Sequence, residues 1–279
     1  MSESVTATTG TDGMRGGVPA ELGVGAVGGL IGGLFGGGSG VFYVPTLERL
    51  TTLSRPRLHG TATAANTTVM AVGVATFALV GGHLDFHAGL GMLVGASCGG
   101  LFGAALLLRA SDVVLRWLFV SVLLISVVKL VLDAAGVSVL HGGGVVSTDT
   151  AQAWAYVVPI SVVCGVLIGA WAAAMGLGGG LLAVPVLMML FGLDLHTAIG
   201  TSLLMFLPNS IIGWIMHARH GTAAARLSVM LNLGALPGTV IGASFALVLN
   251  SRVLSGVYAC FCLFVAVREL ARMRSARSL

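Results

Sequence analysis

Two glycine clusters lie inside uncharged, apolar runs of this chain: Phe35-Gly-Gly-Gly-Ser-Gly-Val41 and Met175-Gly-Leu-Gly-Gly-Gly-Leu181. Adjacent glycines remove helix propensity and permit positive φ, so each cluster predicts a break in a helix. Short helices then begin near Val41 and Leu181, and a helix amino terminus carries roughly half a positive charge on its unpaired N–H groups. Two such ends facing each other would hold an anion, with Gly38, Ser39 and Gly40 from one cluster and Gly178, Gly179 and Gly180 from the other. Close helix packing is the plainer use of glycine, and it is the role expected for Gly95xxxGly99xxxGly103 and Gly234xxxGly238xxxGly242. Packing calls for glycine every fourth residue, whereas here the glycines are clustered.

A polar patch follows each cluster. It comprises Thr61, Thr63, Asn66, Thr67 and Thr68 in the first case, and Thr201, Ser202, Asn209 and Ser210 in the second. Hydroxyl and amide donors without carboxylates suit a small oxyanion. Thr61, Asn66, Thr201, Ser202 and Asn209 are therefore the candidate binding residues, against the alternative that hydroxyls bond back to their own helix. Pro45, Pro185 and Pro208 interrupt helix hydrogen bonding and are candidate hinges or gates. His217, near the end of an apolar run, is the candidate for proton coupling, with a structural interfacial role as the alternative. Asp194 and His196, two residues apart, read as a polar turn.

Other motif matches lack the context their chemistry needs. Gly23-Val-Gly-Ala-Val-Gly28 fits a dinucleotide fingerprint but precedes no strand-helix-strand unit. Gly37-Gly-Ser-Gly40 has the form of an intramembrane serine nucleophile, yet the counterpart of Ser39 is Gly179 and no histidine is placed to serve it. Cys98, Cys164, Cys260 and Cys262 have no ligand or pairing spacing and read as small buried hydrophobes. The expectation is a protein that is not an enzyme, with no catalytic residues, metal or cofactor.

The elements that position these residues must be transmembrane helices. Of 279 residues 56% are apolar and 9% charged, and 42 are glycine. Mean hydropathy is +1.01, a composition that excludes an ordinary soluble domain, where about a quarter of residues are charged, and a disordered chain. Uncharged stretches of about 20 residues recur, enough to span a hydrocarbon core of about 30 Å. The run near Trp117 must continue through Lys129 towards Ala135 to be long enough. Thr150–Leu193 spans 44 uncharged residues, about twice what a membrane needs, so it must break at its glycine cluster.

An offset of 140 pairs Gly25 with Gly165, Gly29 with Gly169, Gly36 with Gly176, Pro45 with Pro185, Gly60 with Gly200, and Thr61 with Thr201. Shifted by one, it pairs Gly95, Gly99 and Gly103 with Gly234, Gly238 and Gly242. The expected fold is an all-α polytopic membrane protein of two repeats with glycine-broken helices. A tail over 1–20 precedes repeats over 21–136 and 152–272, joined by a linker over 137–151 and followed by a basic tail over 273–279. Counting each broken stretch as two segments gives five per repeat, and an odd number inverts the second copy. With both termini cytoplasmic, twelve of the fourteen Lys and Arg residues then lie inside, as the positive-inside rule favours. Counting each as one crossing gives eight spans in parallel repeats. The inverted arrangement is preferred because broken helices in inverted repeats are a common transporter architecture.

The run Gly28–Pro45, its copy Gly165–Pro185 and the following Ala-Ile-Gly-Thr-Ser-Leu (Ala198–Leu203) resemble the sulfite exporter TauE/SafE family over nearly all of Leu22–Arg272. The first repeat departs from the pattern at Leu-His-Gly-Thr-Ala-Thr (Leu58–Thr63). The resemblance implies an inner-membrane permease for small sulfur-containing anions such as sulfite or organosulfonates. Alternating access around a central site is the expected mechanism; a passive anion channel and a membrane partner subunit of a sulfur-handling enzyme are the alternatives. The expected partners are a small anionic substrate and the lipid bilayer, with a homodimer as the assembly to test and no nucleic acid.

Overall fold

The computed structural model describes residues 13–14, 16–100, 112–136, 153–175 and 179–275. Gly178, Gly103, the expected linker 137–151, residues 1–12 of the expected tail and residues 276–279 lie outside them. Ten α-helices are described, numbered here in chain order: α1 Gly17–Phe35, α2 Gly40–Leu50, α3 Arg55–Thr76, α4 Phe86–Cys98, α5 Asp112–Ala134, α6 Ala153–Met175, α7 Gly180–Leu190, α8 Leu195–Arg219, α9 Ala225–Val248 and α10 Ser251–Ser275. A π-helical turn, Phe77–Gly81, extends α3. No strand occurs among the described residues. Helices are what lipid permits, because each satisfies its backbone groups internally.

Six of these helices are long and apolar enough to cross a membrane: α1, α3 with its π turn, α5, α8, α9 and α10. Apolar stretches within α4 and α6, and the whole of α7, are shorter. Large apolar side chains also face outward, Leu79, Ile241, Phe264 and Val248 among them, as lipid contact demands. α5 does run through Lys129, whose ammonium pairs with Asp133 one turn on at 2.7 Å. The first break falls where its glycine cluster puts it, between α1 and α2, and at the second cluster α6 is described to Met175 and α7 from Gly180. α1 takes in Gly17–Ala20, which composition alone assigns to the tail, and Pro19 is tolerated there because first-turn N–H groups have no intrahelical partner. α10 likewise continues to Ser275, past the expected start of the basic tail.

Glycine determines which helices pair. A Cβ on Gly25, Gly29 or Gly33 of α1 would lie less than 3.0 Å from the carbonyl oxygens of Leu231, Ala235 and Thr239 of α9. From the other side, Gly234, Gly238 and Gly242 are as tightly seated on Leu22, Ala26 and Leu30. α4 and α6 interlock in the same way, Gly95 and Gly99 against Val162 and Val166, Gly165 and Gly169 against Met92 and Ala96. Positions related by the sequence offset thus make equivalent contacts, and each pair joins one half of the chain to the other. Gly238→Ala is expected to force α1 and α9 apart and lower stability by about 1–3 kcal/mol, the usual range for overpacking. A thermal melt in detergent checks it.

Candidate functional site

The head of α7 touches the first helix break. Gly36 and Gly37 turn the chain with φ of 71° and 96°, a backbone that only glycine adopts readily. α2 then folds back beside α1, so that Tyr43 donates its phenolic hydrogen to the Gly25 carbonyl at 3.1 Å. The first residue of α7, Gly180, sits directly on this turn. A Cβ there would overlap the Gly36 carbonyl oxygen and stand 3.0 Å from the Gly37 Cα. Gly38 faces Leu181 at the head of α7 and Phe261 of α10, each 3.3 Å from where its Cβ would be. The head of α7 therefore rests on the turn that ends α1 and leads into α2, and it opens in a row of apolar residues.

Polar side chains gather on one flank of the contact. Fully buried Ser39, the residue before α2, donates its hydroxyl hydrogen to Oδ1 of Asn66 on α3. Asn66 is half-buried, and its two amide N–H groups make no bond within the described residues. Ser202 of α8 donates to the Gly36 carbonyl at 2.7 Å, tying the turn to the second half of the chain. The opposite flank is apolar, because the ring of Phe206 lies where a Cβ of Gly179 would be. Phe206 and Gly179 are the counterparts of Asn66 and Ser39 at the offset of 140. One half of the chain thus presents a serine and an amide, the other a glycine and a phenyl ring.

The remaining candidates turn to other neighbours. Thr61 donates to the Arg57 carbonyl at 2.7 Å and accepts the Ala224 N–H at 3.0 Å, at the start of α9. Its counterpart Thr201 accepts the Asp85 N–H at 3.0 Å, at the start of α4. Each hydroxyl therefore satisfies a backbone group that opens a helix of the other half. We expect Thr61→Val and Thr201→Val each to lower the melting temperature, since an N–H left without an acceptor costs about 1–3 kcal/mol. Asn209 lies beside Gly100, and the Thr67 hydroxyl donates to the carbonyl of the next residue, Ser210, at 3.1 Å. His217 bonds through Nδ1 with the Thr222 hydroxyl at 2.8 Å and packs on Gly60. Pro45, Pro185 and Pro208 lie inside α2, α7 and α8. His196 shares Nε2 with the Ala246 and Leu249 carbonyls, 3.1 and 3.2 Å away, and no cluster of metal-binding side chains occurs among the described residues.

Sequence reasoning missed Phe206 and Met70, the latter against Gly37, because an apolar residue in an apolar helix carries no signal of its own. For Phe206 the repeat offset supplies one, since it aligns with Asn66.

Similarity to known proteins agrees with this architecture. The chain is 26% identical over 224 residues to Probable membrane transporter protein YdhB of Bacillus subtilis, covering 78% of this chain and 85% of that protein. Over 123 residues it is 27% identical to Probable membrane transporter protein YunE of the same organism, 42% of this chain and 45% of the relative. Over 118 residues it is 30% identical to Probable membrane transporter protein MamO of Paramagnetospirillum magneticum, 39% of this chain but only 18% of the relative. The chain thus matches less than half the length of these last two proteins. No solved structure matches. The family described as Sulfite exporter TauE/SafE matches residues 5–130 and 161–278. With that match on both sides of the midpoint, and glycine-broken apolar helices in each half, this multi-pass membrane protein belongs to the sulfite exporter TauE/SafE family.

Proposed function

We propose that this protein is a secondary transporter of small sulfur-containing oxyanions, such as sulfite or organosulfonates, across the cytoplasmic membrane. The observation that carries the reading is the seat of Gly180, the first residue of α7, on the Gly36–Gly37 turn that caps α1, with Gly38, on the approach to α2, against Leu181, within a bundle of membrane-spanning length. Non-helical backbone at that depth is tolerated where it is buried in protein or lines a watery cavity, and broken helices of this kind hold anions in secondary transporters. The Asn66 amide supplies two further donors, Ser39 orients it, and among the described residues no acidic side chain contacts Ser39, Asn66 or Ser202. Gly178, Gly179 and Ser202 complete the proposed surroundings of the site, with Pro45, Pro185 and Pro208 as points where helices flex.

The two halves are proposed to be inverted repeats that expose the site alternately, with both termini cytoplasmic. The reciprocal contacts of α1 with α9 and α4 with α6, and the matched Thr61 and Thr201 bonds, support a two-fold relation. His217 is the proposed proton-coupling group.

The test is uptake and counterflow of labelled sulfite, sulfoacetate, thiosulfate and chloride in proteoliposomes containing this chain alone, with and without a pH gradient. Saturable exchange of a sulfur oxyanion is the expected result. Flux without counterflow would replace the transporter by a channel, and no flux would favour a partner subunit.

A further inference from the structure

Beside α2, on the side away from α3, lies a cavity of about 430 Å³, within the roughly 300–1,000 Å³ usual for ligand sites. Phe42, Leu50, Phe261 and Phe264 form its apolar walls, and Arg49 and Arg268 are its charged residues. Arg268 spends one nitrogen on the Val41 carbonyl at 2.8 Å. Its other terminal nitrogen, Nη2, is buried and has no partner, a costly state for a charged donor. The nearby carboxylates do not account for it. Glu269 is held by Arg116 at 3.0 Å and Arg272 at 3.5 Å. Glu48 is the other acid among the charges around Arg268, so Arg49, Arg116, Arg268 and Arg272 outnumber the acids by two.

Position along the helices selects the ligand. Arg268 is 17 residues into α10 from Ser251, about 25 Å along it, and Arg49 lies in the last turn of α2. Both therefore stand near the membrane boundary, on the side that the positive-inside count makes cytoplasmic. Phe264, at 63% exposure, opens the cavity sideways to the acyl chains rather than to water. We infer that this cavity binds one anionic phospholipid of the inner leaflet, its phosphate on Arg49 and Arg268 and an acyl chain along Phe42, Phe261 and Phe264. A basic pocket between helices on the cytoplasmic side is the general form of such a site. The inference does not depend on what the protein transports.

The test uses the full chain carrying Phe264→Trp, reconstituted in phosphatidylcholine vesicles containing phosphatidylglycerol, with bromine on the acyl chains of one lipid or the other. Quenching is measured relative to the protein without that substitution. Brominated phosphatidylglycerol is expected to win over brominated phosphatidylcholine by at least about fivefold, the fold-change equivalent of about 1 kcal/mol for one arginine near an anionic surface. Adding Arg49→Gln should reduce the preference, and Arg49 is exposed, so this variant keeps its fold. Arg268→Gln should remove most of the rest, with Arg268→Lys as the fold-preserving companion. Equal quenching by the two lipids would overturn the site. Loss of the preference in millimolar sulfite or phosphate, but not in chloride of the same ionic strength, would show that the cavity takes a free oxyanion and would overturn the lipid assignment.

Discussion

Gly180→Ala is expected to abolish anion counterflow and to destabilise the protein, although it adds one methyl group. That methyl would overlap the Gly36 carbonyl oxygen and crowd the Gly37 Cα. These are backbone atoms, held by the Gly37 N–H bond to the Gly32 carbonyl at 2.8 Å and by Ser202 on Gly36. No rotamer change relieves the clash, so the two helix ends must separate. Overpacking of this kind costs about 1–3 kcal/mol, and in this protein the displacement falls on the proposed site. Gly23→Ala is the matched control. Nothing lies within 4 Å of its Cβ position, and alanine is the better helix former by up to about 1 kcal/mol. The control should transport as the parent does and melt no lower. Counterflow in proteoliposomes and melting in detergent read both variants, and wild-type counterflow by Gly180→Ala would remove the contact between the breaks from the transport cycle.

The breaks were legible in the sequence because a run of glycines has only one local meaning, and α2 and α7 begin at Gly40 and Gly180, within one residue of expectation. The packing glycines Gly95, Gly99, Gly234 and Gly238 were also legible from their spacing. Their partners were not, since an every-fourth pattern describes one helix surface and says nothing of what meets it. Hydroxyls were the least legible. Thr61 and Thr201 read as donors for a ligand, yet each accepts the N–H that opens a helix of the other half, a partner more than a hundred residues distant. Asn66 and Asn209 look alike in sequence but are not counterparts, since the offset of 140 aligns Asn209 with Val69, and their neighbours differ, Ser39 for Asn66 and Gly100 for Asn209. Arg49 and Arg268 entered the sequence reading only as markers of sidedness. That they line one cavity follows from the fold-back of α2 along α1, which sequence spacing does not encode.

The asymmetry between Asn66 and Phe206 gives the second large effect. Asn66→Leu keeps the branching and heavy-atom count of the side chain and removes both amide donors and the acceptor of the Ser39 hydroxyl. Hydrogen bonds between membrane helices contribute on average about 0.6 kcal/mol and at most about 1.7 kcal/mol, so folding should lose little. An anion that has exchanged water for these donors should lose about 1–3 kcal/mol, a five- to 150-fold weaker affinity. Phe206→Leu, at the equivalent position, removes packing on Gly179 but no donor, so it should lower the melting temperature and leave sulfite affinity near that of the parent. Half-saturation of uptake together with thermal melts separates the two. If Asn66→Leu binds as the parent does, the donors lie elsewhere and the helix ends must hold the anion alone. If both substitutions weaken binding equally, the site reads shape rather than charge. The expected split, affinity lost in one half and stability in the other, would mean that the two halves have divided the work, with the polar flank of the first meeting the ligand and the apolar flank of the second holding the contact together.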